Sequence, residues 1–345
     1  MPHNSSALIN SKLYKLATQK NNAIAKHHVG LCYEYGIGVD KDFGKAVSLY
    51  SESFKLGYIT PQSTFLAAYA YEHMLDEGNH TEERRKELEE QLFSLYKMSA
   101  DQGYATAQTH LGSLYYRGAY GIQRNETEAL RLLKLAANQG ETDAQLKLGV
   151  CYISGKNYAE AIKWLTIAAE DDNYEAQQAL VFIYFSSNTG YKDYAKAVKY
   201  LKKAIQNKRT DNDINKIRFA LGMIYFEGGH GIAENRYESI KWLKEVYSHT
   251  KYGEELEFKA CHYLSVLYLA EKDIEESAKW LERAYAHGRV DNDLACTIAS
   301  RYLEGEGVSK DKDKAKKFLN MAANQGDSRA QEVLDELNSF WGWLY

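Results

Sequence analysis

A ten-residue segment, Ala136-Ala137-Asn138-Gln139-Gly140-Glu141-Thr142-Asp143-Ala144-Gln145, is written again far downstream as Ala322-Ala323-Asn324-Gln325-Gly326-Asp327-Ser328-Arg329-Ala330-Gln331. It also occurs earlier, as Ser99-Ala100-Asp101-Gln102-Gly103-Tyr104-Ala105-Thr106-Ala107-Gln108, with looser copies beginning at Ala168 and Ala284. Each copy reads as the small-residue end of one helix, a glycine or polar turn, and the Ala-rich start of the next. A repeated supersecondary unit buries its apolar face against its neighbours, so the 345 residues need not be divided among two or three globular cores. Only two prolines occur, Pro2 and Pro61, and Ala, Leu, Lys and Glu are plentiful, which favours helix throughout.

Aligning the copies gives one tyrosine per unit: Tyr33, Tyr71, Tyr115, Tyr152, Tyr184, Tyr225, Tyr268 and Tyr302. Four residues before each stands an apolar residue, from Val29 and Ala67 through Leu111, Leu148, Leu180, Leu221 and Leu264 to Ile298. The next residue is small in seven units (Gly30, Ala68, Gly112, Gly149, Gly222, Ser265, Ala299), and Val181 is the exception. A spacing of four puts the apolar residue and the tyrosine on one helical face. The small residue beside them lets a second helix approach closely.

That second helix has its own signature, as in Ala161-Ile162-Lys163-Trp164-Leu165 and Ser239-Ile240-Lys241-Trp242-Leu243. Its large residue (Trp164, Tyr200, Trp242, Trp280, Phe318) is expected to fill the core between stacked hairpins. Glycine-rich turns join the two helices, as in Gly36-Ile37-Gly38-Val39 and Gly305-Glu306-Gly307-Val308. They lack the preceding strand and the Lys-Ser/Thr ending of a phosphate-binding loop.

L-G-x-x-Y, then G-x-G-V, then A-x-x-W/F, then A-A-x-x-G resembles the Sel-one-like repeat, a relative of the tetratricopeptide repeat. The tyrosine spacing of 32 to 44 residues, the glycine-turn insertion and the missing proline depart from the fixed tetratricopeptide period of about 34. The resemblance implies an all-α, α-α superhelix, a right-handed solenoid of about eight hairpins whose concave face holds other proteins. On this reading residues 1–24 form an N-terminal capping helix (Leu8 to Lys20), 25–331 the solenoid and 332–345 a C-terminal capping helix. The second unit departs from the pattern, with a charged segment, Thr81 to Glu90, expected to lengthen its second helix behind a Thr81 N-cap. The tail Phe340-Trp341-Gly342-Trp343-Leu344-Tyr345 either folds back over the last hairpin or offers a hydrophobic contact.

The resemblance also implies which residues face inward: the one two beyond each apolar anchor and the one after each tyrosine. In the fourth to seventh units these are apolar: Val150, Ile153, Phe182, Phe185, Met223, Phe226, Val266 and Leu269. Such a stripe suits an amphipathic helix or hydrophobic loop of a partner. Strong curvature would instead pack these residues on one another.

A basic zone including Lys192, Lys196, Lys199, Lys202, Lys203, Lys208, Arg209, Lys216 and Arg218 could steer an acidic partner. The net charge of −4 argues against a nucleic-acid surface spread over the whole protein. Cys32, Cys151, Cys261 and Cys296 stand far apart and read as reduced thiols. His28 with Cys32, and Cys261 with His262, fall short of a four-ligand zinc set, and no catalytic signature or cofactor motif is legible. The expectation is therefore a non-enzymatic scaffold binding another protein, without cofactor, nucleic acid or membrane insertion, in the bacterial cytoplasm. An immunity or inhibitor protein clamping a toxic enzyme is the alternative, and a hydrolase with a hidden cleft a more distant one.

Overall fold

With proline almost absent, the chain between turns runs as helix, and each amphipathic helix folds back on the one before. The computed structural model describes residues 12–19, 21–78, 80–206, 211–249, 254–288 and 291–342. Among them lie helices α1 (Lys12–Gln19), α2 (Ala23–Tyr35), α3 (Phe43–Lys55), α4 (Pro61–Asp76), α5 (Glu82–Asp101), α6 (Ala105–Arg117), α7 (Glu126–Asn138), α8 (Thr142–Ser154) and α9 (Tyr158–Glu170). They continue as α10 (Tyr174–Phe185), α11 (Tyr194–Gln206), α12 (Asp211–Glu227), α13 (Arg236–His249), α14 (Glu254–Ala270), α15 (Ile274–Ala286), α16 (Asn292–Glu304), α17 (Lys312–Ala323) and α18 (Ser328–Gly342). No strand forms among the described residues; a single antiparallel bridge joins Gly229 to Ile232. The all-α hairpin repeat is thus the fold. From α2/α3 to α16/α17 there are eight hairpins, with α1 before and α18 after them. The chain forms two compact units, one ending at Ala176 and the other starting at Gln177. Residues 1–11 of the expected N-terminal cap, and the side chains of the tail from Phe340 on, lie outside what is described.

Every apolar anchor is buried, from Val29 to Ile298. The small residue next to it sits against the second helix of its own hairpin. A Cβ on Gly149 would lie 2.5 Å from Leu165 Cγ, one on Gly222 2.8 Å from Leu243 Cγ, and one on Gly30 2.8 Å from the Tyr50 ring. On Gly112 it would lie 3.0 Å from Leu133 Cγ. Tyr50, Leu133, Leu165 and Leu243 occupy the same register in their helices, so one contact recurs along the chain. In the seventh hairpin a hydroxyl takes the glycine's place: Ser265 Oγ donates to the Ser277 carbonyl (2.8 Å) and Ser277 Oγ to the Ser265 carbonyl (2.7 Å).

The turns close by a shared bond. The backbone N–H of the residue capping the second helix donates to the carbonyl of the repeat tyrosine, as in Asp42 to Tyr33 (2.9 Å), Asn157 to Tyr152 (2.8 Å) and Asp311 to Tyr302 (2.9 Å). Asn125 to Tyr115, Asp193 to Tyr184, Asn235 to Tyr225 and Asp273 to Tyr268 follow at 2.8–3.0 Å, which makes seven of the eight hairpins, all but α4/α5. The capping side chain then accepts from the N–H three residues on, satisfying a donor the helix leaves open. Thr81 caps α5 in the same way, accepting from Arg84 N–H at 3.3 Å, and α5 runs for 20 residues, as its charged sequence suggested. The turn glycines hold left-handed backbone where it is needed: Gly36 and Gly305, at φ 70° and 74°, end α2 and α16. In the shortest turns Lys156 and Lys272 adopt that conformation instead, at φ 58° and 64°.

The second-helix aromatics fill the core as expected. Trp164, Tyr200, Trp280 and Phe318 are buried, and Trp242 is half-buried. Tyr200 stacks on Tyr184 and Phe318 on Tyr302, with centroids 6.3 and 6.2 Å apart and rings nearly parallel. The 2.5 Å approach at Gly149 predicts that Gly149→Val destabilises the protein by roughly 1–3 kcal/mol through overpacking. Urea denaturation measures this; an unchanged midpoint would mean the hairpin has slack at this contact.

Candidate functional site

None of the eight inner-stripe residues is buried. In the first unit Val150 is 42% exposed and Ile153 half-buried. In the second, Phe182 and Phe185 are 52% and 39% exposed, while Met223, Phe226, Val266 and Leu269 are half-buried. Phe185 stacks on Tyr194 (5.6 Å) and Phe226 meets Tyr263 edge-on (5.4 Å). Val266 and Leu269 rest on the last hairpins' core. The repeat residues Gly30, Gly112, Gly149 and Gly222 are buried; Tyr225 is buried and Tyr33, Tyr115 and Tyr152 half-buried.

Within the first unit, the first helices of successive hairpins enclose a recess of about 590 Å³. Glu72 of α4, His110, Ser113, Tyr116 and Arg117 of α6, Asp143, Leu146, Lys147, Val150 and Cys151 of α8, and Glu175 of α10 line it, with Leu133 of α7 at the wall. Glu72, Ser113, Tyr116 and Val150 of this lining are positions that the repeat register assigned inward.

The recess is polar at one end. Tyr96 Oη donates to Glu72 Oε2 at 2.5 Å, and His110 Nδ1 stands 3.9 Å from the same oxygen. Burial pushes the Glu72 carboxyl up, but the nearby His110 ring, the Tyr96 hydrogen bond and the Arg117 charge outweigh it, and its pKa is lowered. Lys147 pairs with Asp143 at the other wall. The potential nucleophiles are otherwise engaged: Ser113 Oγ donates to the Thr109 carbonyl (2.8 Å), and burial pushes the Cys151 thiol up to about 11.

One feature escaped the sequence reading. Glu34 and Glu72 each follow a repeat tyrosine, and Tyr50 and Tyr96 occupy the register held by leucine in the later hairpins. The structure joins them: Tyr50 Oη donates to Glu34 Oε2 at 2.5 Å, as Tyr96 does to Glu72. The first two hairpins thus carry a carboxylate–phenol pair where the others carry apolar contact. The signal was present as two simultaneous departures from the repeat, a glutamate and a tyrosine in the same two units. Glu34 is 1% exposed, its Oε1 has no hydrogen-bond partner, and burial raises its pKa against the opposing pull of the Tyr50 and Tyr35 phenols. His27, 4% exposed between the Tyr50 and Tyr58 rings, is lowered to about 4 by burial and by the nearby His28.

In the second unit a groove of about 550 Å³ opens between α10, α11 and α12, lined by Val181, Phe182, Phe185, Leu201, Ile217 and their neighbours. Of the basic zone, Lys208 and Arg209 lie outside the described residues. Lys196 pairs with Asp193 and also lies over the Tyr184 ring. Arg218 lies 3.6 Å from Glu245. No group of three or more His, Cys, Asp or Glu is placed to hold a metal ion among the described residues, and no described helix is long and apolar enough to cross a membrane.

The buried groups of the first hairpin predict opposite pH responses. His27, lowered in the folded state, contributes stability that is present above its ordinary value of 6.5 and is lost as pH falls through about 4, up to about 3 kcal/mol. His27→Phe should flatten that acid limb in urea titrations. Glu34, raised when folded, acts the other way: the unfolded chain releases its proton first, so stability falls as pH rises above the ordinary value of 4.5. Glu34→Gln should gain on wild type near neutral pH and lose that advantage near about pH 4. Parallel pH profiles for wild type and variants would refute both assignments.

Comparison with known proteins accords with this geometry. The Sel1 repeat model matches residues 23–58, 105–141, 142–173, 182–208, 218–245, 258–288 and 292–327, and passes over the α4/α5 hairpin. Chitin synthase regulatory factor 3 of Schizosaccharomyces pombe is 26% identical over 267 residues, which is 67% of this chain and 24% of that protein. The chain therefore spans about a quarter of the length of this curated relative. Among solved structures, a protective antigen of uropathogenic Escherichia coli strains displaying an SLR fold is 23% identical. The match covers 93% of this chain and 73% of that one, with a TM-score of 0.43. A Sel1 repeat protein from Oxalobacter formigenes is 21% identical, covering 92% and 77%, with a TM-score of 0.45. The seven matched segments span well over half of the residues, and the chain belongs to the Sel1 repeat family.

Proposed function

We propose that this protein is a non-enzymatic scaffold, working in the cytoplasm, that holds a segment of another protein against the inward residues of its first helices. The observation that carries the reading is the exposure, in the second unit, of Phe182 and Phe185, large apolar side chains at the two inward-assigned positions of one first helix. Sel1 repeat proteins generally mediate protein–protein interaction, which supports the same reading. A partner segment would cover the exposed rings and gain the burial energy they forgo in water.

Immobilised protein exposed to a cell lysate, with bound proteins identified by mass spectrometry, tests the proposal. The double variant Phe182→Ala/Phe185→Ala should lose a specific partner at least about tenfold, a loss of about 1.4 kcal/mol in binding. Its stability should fall by much less than the roughly 3–5 kcal/mol typical of a buried Phe→Ala change. An unchanged set of bound proteins would defeat the reading.

A further inference from the structure

Two of the positions that follow a repeat tyrosine hold glutamate, and their surroundings differ. Glu34 is 1% exposed, and burial raises its pKa. Glu72, its counterpart in the second hairpin, lines the recess of about 590 Å³ in the first unit, with 14% of its side chain exposed. Its carboxyl is held below the ordinary range, so at neutral pH it is ionised although largely out of water. The group bonded to it is neutral: Tyr96 Oη donates to Oε2 at 2.5 Å. His110 Nδ1, at 3.9 Å, stands beyond hydrogen-bonding distance, and among the described residues no hydrogen bond reaches Oε1. A carboxylate in such a place is stabilised by a cation brought to it.

The other charges of the lining leave this one to decide. Asp143 and Lys147 pair with each other. Arg117 and Glu175 are both exposed and opposite in sign, and Arg117 acts on Glu72 through space. The rest of the lining is largely apolar, with Tyr116, Leu133, Leu146 and Val150 prominent. An apolar recess holding one ionised carboxylate suits a side chain with a hydrocarbon stem and a positive end. With Oε2 taken by the phenol, a guanidinium fork would find one acceptor and not two, so the compact ammonium of lysine fits better than arginine.

We infer that the recess of the first unit receives a lysine side chain of a partner protein, its stem along Val150, Leu146 and Tyr116 and its ammonium at Glu72. This rests on the scaffold reading and specifies the chemistry that the partner presents to the first unit.

Fluorescence anisotropy on the full chain, with labelled peptides that differ at one position, tests the inference. Each is a short segment of leucine and serine with lysine, norleucine, arginine or glutamate at its centre. The lysine peptide should bind at least about tenfold more tightly than the norleucine and glutamate peptides, and several-fold more tightly than the arginine one. Glu72→Gln keeps an acceptor for Tyr96. It should bring the lysine peptide down to the norleucine level and leave the norleucine peptide unchanged, a difference that mere destabilisation of the hairpin would not produce. Arg117→Gln removes a like charge and should tighten lysine binding. Weaker lysine binding in that variant, or a preference for the glutamate peptide, would mean that the recess takes an anion and would overturn the inference. So would failure of the lysine peptide to bind, lysine and norleucine peptides binding equally, or lysine binding unchanged in Glu72→Gln. Tighter binding of the arginine peptide would overturn the choice of lysine. If any of these results occurs while Phe182→Ala/Phe185→Ala still strips a lysate partner, this inference fails alone. Capture insensitive to that double variant defeats the scaffold reading and this inference with it.

Discussion

Two helices of a hairpin meet here because one of them offers almost no side chain at the point of contact. The glycines at 30, 112, 149 and 222 let Tyr50, Leu133, Leu165 and Leu243 rest directly on backbone. Close approach removes water from both helices and brings many weak dispersion contacts into range, which is where a short helix gains the stability its own hydrogen bonds do not provide. The buried anchor residue, the stacked aromatic of the second helix and the Ala-rich start of the next hairpin all take positions fixed by that one distance.

Much of this was legible because it obeys a period. Tyr33 through Tyr302 found a common place toward the ends of the first helices, and of the residues one position beyond them Glu72 and Tyr116 line the recess of the first unit. What was not legible arises between positions distant in the sequence. Glu34 is an ordinary solvated residue until Tyr50 is known to face it; the pairing is a property of the hairpin and not of either helix. The exposure of Phe182 could not be inferred from its type, since an apolar residue at that register is equally suited to packing on a neighbour.

The hairpins are consequently unequal despite their shared plan. The first two join their helices through carboxylate–phenol hydrogen bonds, which tie their stability to pH; the third, fourth and sixth rest a leucine on glycine, and the seventh pairs two serine hydroxyls, contacts that do not titrate. The second also departs in length, with a charged 20-residue α5 that outreaches every other second helix. A repeat array tolerates such variation because each unit answers only to its neighbours.

The bond from the capping N–H to the tyrosine carbonyl has a consequence for how such a chain can change over time. It is made when the cap follows the tyrosine by five residues, as at Asn157 and Asp273, and equally when it follows by nine or ten, as at Asp42 and Asn235. The intervening segment is therefore a detour sealed at its base, and its length is invisible to the helices on either side. Turns of different length can therefore coexist in one array, although exchanging a long one also exchanges the residues it lends to the core, such as Val39 and Ile122.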